Sequence, residues 1–169
     1  MLVRRERPGD APCVRAVVAA AFAGDDGAEP IEVGLLDRLR DDGGWLPAFS
    51  LVAGEVVGEV VGHVVATRGH VGEQPALGVG PVAVPPDHQR RGVGSALMHG
   101  VLAAAEAREE SLVALLGEPA FYGRFGFRPA AEHGVEAPDA AWGRFFQVRA
   151  LAGDPPRGRF RYAAPFVEL

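Results

Sequence analysis

The segment Val82-Ala83-Val84-Pro85-Pro86-Asp87-His88-Gln89-Arg90-Arg91-Gly92-Val93-Gly94-Ser95-Ala96-Leu97 constrains this chain more than any other. A β-branched run ends at two prolines, a glycine-containing loop follows, and an Ala- and Leu-rich helix opens directly from the loop. That order aims the unpaired backbone N–H groups of a helix N-terminus at one place, where the helix dipole adds partial positive charge. Such a place suits a pyrophosphate. Gly92 and Gly94 permit close approach because neither carries a Cβ, and Arg90 and Arg91 can add charge-assisted bonds to phosphate oxygens. A P-loop requires a lysine, yet all 17 Lys+Arg positions are arginine. A dinucleotide fingerprint also fails, because its third glycine would fall at Leu97.

Around this segment the pattern is mixed α/β. Leu2 to Arg5 reads as a strand, and Pro8-Gly9-Asp10 breaks the chain with Asp10 as the N-cap of a helix over Ala11 to Phe22. A second helix spans Ile31 to Arg40. Strands follow at Ser50 to Ala53, at Val60 to Ala66 and at Ala76 to Val84, the first two joined around Gly54 to Glu59. Ser95 to Arg108 forms the loop helix, Leu112 to Leu116 a short strand, and Pro119 to Phe125 a short helix. The segments from Phe145 to Leu151 and from Arg159 to Phe166 supply closing strands, and 129–138 reads as a loop. The resulting order, β-α-α-β-β-β-α-β-α-β-β over 169 residues, fits a single domain covering 1–169.

Bulk properties narrow the function. A formal net charge of −5 argues against nucleic acid as the main partner. No apolar run reaches the ~20 residues of a membrane-spanning helix, and the N-terminus lacks a signal-peptide core, so a cytoplasmic location is expected. Cys13 is the one cysteine and reads as a structural residue on a buried or half-buried helix turn. His63, His70, His88, His99 and His133 show no ligand spacing, so no metal is expected.

The Gln-x-x-Gly-x-Gly spacing after a Val-x-Val-x-Pro strand resembles the acetyl-CoA loop of the GCN5-related N-acetyltransferase (GNAT) family. One strand beyond the loop helix, Glu118-Pro119-Ala120-Phe121-Tyr122-Gly123-Arg124-Phe125-Gly126-Phe127 resembles that family's short Phe-Tyr helix and the Gly-Phe that starts its next strand. Together with Phe146-Gln147-Val148, Gly158 to Tyr162 and Pro165-Phe166, it is similar to the YhbS-like branch of predicted N-acetyltransferases. The resemblance implies a mixed, largely antiparallel central sheet flanked by helices. It further implies that Val82 and Val84 offer main-chain groups to the pantetheine arm of acetyl-CoA. Gln89, Arg90, Arg91, Gly92, Val93, Gly94 and Ser95 would wrap its pyrophosphate. The acceptor would be a small-molecule or peptide amine. Late strands in this fold pair between subunits, which makes a homodimer an implied assembly.

Acyl transfer to an amine needs a deprotonated nitrogen, a polarised carbonyl and a proton for the departing thiolate. The resemblance places Tyr122 at the CoA sulfur, and a phenol with an ordinary pKa near ~10 keeps its proton at neutral pH. Many relatives carry a glutamate on the strand before the loop. Here that stretch reads Gly78-Val79-Gly80-Pro81, without a carboxylate. His63, His70 and Glu73 are the weighed substitutes, and no base is assigned. Asp25, Asp26 and Glu29 are candidates to meet a cationic amine. Glu109-Glu110 reads as an exposed helix end. Trp45, Phe49, Trp142, Phe145 and Phe146 are core residues or acceptor-cleft walls. The same motifs also fit a module that binds acyl-CoA without turnover, or a transferase with another acceptor atom or a longer acyl chain.

Overall fold

The computed structural model describes residues 1–55 and 58–169, so Val56 and Val57 in the expected connection lie outside the described residues. Strand β1 (Leu2–Arg5) leads through a 3-10 turn at Pro8–Asp10 into α1 (Ala11–Ala21) and then α2 (Ile31–Asp41). Strands β2 (Trp45–Gly54), β3 (Val60–Val71) and β4 (Gln74–Ala83) follow, and α3 (Val93–Ala107) crosses over to β5 (Leu112–Leu116). Helix α4 (Pro119–Tyr122) continues as a 3-10 turn, Gly123–Phe125. Next come β6 (Arg128–Pro129), β7 (Val135–Glu136), β8 (Phe146–Ala150), β9 (Gly158–Arg161) and a last 3-10 turn at Ala164–Glu168.

The sheet runs β1-β2-β3-β4-β5-β8-β6, with β9 joined to β3 and β7 to β9. Along that seven-strand path only β4 and β5 pair in parallel. The expected largely antiparallel sheet is therefore present. Where 129–138 was read as loop, the short strands β6 and β7 form with a 3-10 turn between them. Their two-residue length leaves no periodicity to detect. No described helix is long and apolar enough to cross a membrane.

Strand alternation sorts the core onto two faces. Leu51, Ala53, Val64 and Ala66 meet α3, whose Val93, Leu97, Met98, Val101, Leu102 and Ala105 recur at helical spacing and are buried. Val52 and Val65 face the other way, onto Val14, Val17 and Val18 of α1 and Val33 and Leu36 of α2. Gly62 brings the start of α3 down onto β3: a Cβ there would lie 2.7 Å from Val93 Cγ1 and 3.0 Å from Leu97 Cδ1.

Beneath α2 lies a buried polar cluster. The side chain of Glu6 is 5% exposed and that of His63 is 0% exposed, close enough (3.3 Å) to interact. Ser50 Oγ donates to Glu6 and stands 3.0 Å from His63 Nε2, so it accepts that nitrogen's proton. Arg40, over the Trp45 ring at 4.9 Å, pairs with Glu6 from α2. This is no nucleophilic triad: the carboxylate sits on the serine and Nε2, and Nδ1 has no partner among the described residues. Burial alone would raise the Glu6 carboxyl, but hydrogen bonds from His63, Ser50 and Arg40 outweigh it and hold it at about 2, below the ordinary 4.5. Burial pushes the His63 imidazole below its ordinary value despite Glu6.

Both shifts oppose protonation of the folded state. Stability should decline as pH falls below 6.5, where an unfolded His63 gains a proton first, and again between 4.5 and about 2 through Glu6. Urea titrations of Glu6→Gln should show a loss of about 3 kcal/mol near neutrality and a flatter profile in the lower window.

Candidate active site

Strands β4 and β5 touch at two register pairs, Leu77↔Val113 and Gly78↔Ala114. Beyond these, β4 runs on to Ala83 and β5 to Leu116 without pairing. The β5-facing backbone edge of β4 from Val79 onward therefore has no strand partner among the described residues. A cleft of about 600 Å³ lies at this opening. Of the nine positions expected to hold acetyl-CoA, Val82, Val84, Gln89, Arg90, Gly92, Val93, Gly94 and Ser95 line it. Arg91 is exposed on the loop and lies off the wall. Gln89 ties the loop back onto the strand, its Nε2 donating to the Val84 carbonyl at 3.0 Å.

The loop's two glycines serve different ends. Gly92 is the N-cap of α3 at φ 80°, a left-handed conformation the fold itself requires, and it carries no side chain to cap the first amides. The first turn's bonding begins with Ala96 N–H to Gly92 O at 2.9 Å, which leaves the Val93, Gly94 and Ser95 amides at the helix mouth. Gly94 has room: a Cβ there would rest 3.5 Å from Phe121 and 3.9 Å from Val84, ordinary contact distances, and it would point into the cleft. Arg124 also lines this cleft, its guanidinium 5.0 Å over the Phe121 ring. It was not singled out in the sequence, because only the turn after α4 swings it across to the loop.

A larger cleft of about 930 Å³ adjoins the first, and Phe22, Val82 and Tyr122 line both. Tyr122 leans on Gly117, where any Cβ would collide with its ring, and stands edge-on to Phe121 at 4.8 Å and Phe127 at 6.1 Å. Burial pushes its phenol above the ordinary tyrosine value. Tyr162 faces it from the chain's last segment and is raised by burial and then by its proximity to Tyr122. The Tyr162 ring lies 2.7 Å from where a Gly78 Cβ would be, and Phe166 covers Gly80. No side chain can stand at Gly78 while Tyr162 occupies that space.

Several expected roles change. His63 is sealed in the cluster under α2, and Glu73 is exposed and lines neither cleft. His70 lines the larger cleft. Asp25, Asp26 and Glu29 line neither: Glu29 pairs with Arg15 at 3.0 Å, and Asp26 accepts the Ala28 N–H. The acid that does line the larger cleft is Glu32, in the first turn of α2. Its signal was its place in an amphipathic helix on the wall side beside Ile31 and Leu35. Cys13 is exposed, because Val14, Val17 and Val18 take the inner face of α1. Asp10 stands at the N-cap position of α1 as expected, but its side chain makes no capping bond there. It accepts the Arg7 N–H and a two-pronged bond from Arg4. Glu110 is not a free helix end, since Arg68 grips both its oxygens at 2.8 and 2.7 Å. Trp142 walls the larger cleft; Phe49 and Phe146 are core. Among the described residues no group of three or more His, Cys, Asp or Glu is placed to hold a metal ion.

A family model described as an acetyltransferase (GNAT) domain matches residues 3–130. The uncharacterized N-acetyltransferase YhbS of Escherichia coli (strain K12) is 34% identical over 162 residues, covering 94% of this chain and 92% of that protein. The crystal structure of Escherichia coli YhbS in complex with CoA has a TM-score of 0.87 at 31% identity, covering 98% of this chain and 91% of that one. A GNAT family acetyltransferase from Brucella melitensis in complex with acetyl-CoA has a TM-score of 0.79 at 32% identity, with 98% and 97% covered. The Escherichia coli ribosomal-protein-S18-alanine N-acetyltransferase, 17% identical at a TM-score of 0.64, shares the fold.

The unequal roles of the two glycines predict opposite stability effects. Gly92→Ala should destabilise by about 1–2 kcal/mol, the cost of a Cβ in a left-handed residue. Gly94→Ala should be neutral or stabilise by up to about 1 kcal/mol, the helix preference of alanine. Urea denaturation of both variants checks this.

Proposed function

The chain belongs to the GNAT acetyltransferase family, and from that premise we propose that it moves an acetyl group from acetyl-CoA to a primary amine by direct attack in a ternary complex. The observation that carries this reading is the meeting of two clefts at Tyr122. One cleft has the opened strand edge and helix mouth suited to a pantetheine and pyrophosphate; the other has the walls of an acceptor site. We assign residues 1–169 to one such domain, acting in the cytoplasm on a small-molecule or peptide amine.

In this reading the amides of Val93, Gly94 and Ser95 hold the pyrophosphate, with Arg90 and Arg124 adding charge. The open edge of β4 at Val82 and Val84 pairs with the pantetheine amides, as an added strand would. The acceptor ammonium sheds one proton and its freed lone pair bonds to the thioester carbonyl carbon. The C–S bond then breaks, Tyr122 gives its proton to the departing sulfur, and the surplus proton on the new amide nitrogen restores the phenol. The products are the amide, the thiol and one proton. Burial favours the protonated form of Tyr122 and so keeps it a competent acid.

The covered Gly78 favours one rival, a module that binds acyl-CoA without turnover, because it removes the customary strand carboxylate. Calorimetry with acetyl-CoA and an amine screen separate the two. Native protein should bind, and Gly94→Leu should weaken binding at least about tenfold by filling the groove. Tyr122→Phe should leave the acetyl-CoA Kd unchanged and lower kcat about 10²-fold. Transfer to no amine by a protein that binds acetyl-CoA would favour the rival.

A further inference from the structure

Glu32 supplies the only carboxylate side chain lining either cleft among the described residues. It is half-buried and makes no ion pair with them. It stands in the first turn of α2, where Pro30 provides no side-chain cap to the helix amides. The neighbouring Val33 packs in the cluster that contains Ala83, the last residue of β4. The carboxylate lines the same cleft as Phe22, Val82 and Tyr122, the residues this cleft shares with the groove at the helix mouth.

The end of this cleft away from Val82 and Tyr122 is basic. Arg159 and Arg161 lie on β9, which pairs with His70 and Val71 of β3. His70 in turn faces Pro75, near the start of β4. From Pro75 to Gly80 is a strand length of roughly 17 Å. Each arginine is held by a backbone carbonyl, Pro138 O at 2.8 Å and Gly72 O at 3.0 Å, and neither has a carboxylate partner among the described residues. Between the two ends the walls are mostly aromatic or apolar, with Phe22, Trp142, Phe160, Tyr162 and Phe166 prominent.

We infer that the acceptor is an arylalkylamine, a single primary ammonium on a short arm from an aromatic ring, with Glu32 receiving the ammonium. This rests on the reading of the chain as an amine acetyltransferase. One carboxylate suits one cation. A second ammonium would meet the arginines, so polyamines and aminoglycoside-like acceptors are excluded by charge. A ring fits the aromatic walls, and its burial drives binding. Glu32 holds the ammonium by charge; the ammonium loses one proton to solvent, its lone pair bonds to the thioester carbon as the C–S bond breaks, and Tyr122 exchanges its proton as described.

The test is thiol release from acetyl-CoA by the full-length chain with 2-phenylethylamine or spermidine as acceptor. The ring amine should give a kcat/KM at least about tenfold higher. Glu32→Gln should lower its kcat/KM by about 10- to 100-fold, mainly through KM, as expected for a lost charged hydrogen bond. The acetyl-CoA Kd of that variant should not change. The uncharged 2-phenylethanol should inhibit both proteins equally, because it needs the walls and not the carboxylate. Preference for spermidine, an unaffected Glu32→Gln, or parallel loss of 2-phenylethanol inhibition would overturn the assignment. So would acetyl-CoA binding without transfer to the ring amine. Failure of the native protein to bind acetyl-CoA would instead remove the transferase reading itself, and this inference with it.

Discussion

After Gly78 and Ala114 the backbones of β4 and β5 part, and the rest of the site depends on that separation. A parallel pair must be joined by a crossover, here α3, so the connection leaves from the end of β4 where the strands have opened. The helix mouth and the unpaired strand edge are therefore neighbours by topology. Peptide groups left without strand partners need water or a ligand rich in amides. The gap is not filled from within, because Phe121, Tyr122, Phe125 and Phe127 pack on one another and on the α3 core at its base. Tyr122 is thereby placed where the two clefts meet.

The other face of the sheet fixes α2. Glu6 follows β1, Ser50 and His63 project from β2 and β3, and Arg40 comes from the last turn of α2. A buried ionic cluster of this kind adds little net stability against an apolar replacement, but it tolerates few arrangements of its donors and acceptors. Its effect here is to anchor the C-terminal end of α2 to three strands. Leu35 and Leu39 pack with Ala163 and Phe166 in the middle of the helix. The first turn, with Glu32, is left facing the cleft. Distant residues thus set the position of a wall residue that they never touch.

How much of this is legible in the chain depends on the range of the interactions. The loop and α3 are local: prolines, glycines and a helical repeat within sixteen residues mark them, and eight of the nine loop and strand positions fall along one groove. Tyr122 is legible because its short helix is itself a local motif. The place of Glu32 on the cleft wall and the pairing of Tyr162 with Gly78 are settled by contacts across the chain. The last joins residues 84 positions apart in sequence, 162 − 78. Local sequence places Asp10 at the start of α1 but does not show that its carboxylate pairs with Arg4, nor that Glu110 is held by Arg68. Cys13 was placed inward from its residue type, whereas the valines beside it claim the inner face of α1.

The missing carboxylate on β4 follows from the same packing. Tyr162 lies over Gly78 and Phe166 over Gly80, and the two rings lie 4.6 Å apart. With glycine at alternate positions of β4, the chain's last segment forms an aromatic roof over the strand. A carboxylate at Gly78 would need the space of the Tyr162 ring, and the roof would have to lift. A carboxylate lining the larger cleft must then come from a different wall. The β9 wall carries arginines and the α3 side is filled by the core. That leaves the first turn of α2, the wall on which the remaining acid stands. The aromatic roof and the acidic helix turn are thus linked by packing: the C-terminal segment takes the space over Gly78 and Gly80, and the carboxylate side chain on the cleft wall among the described residues stands on α2.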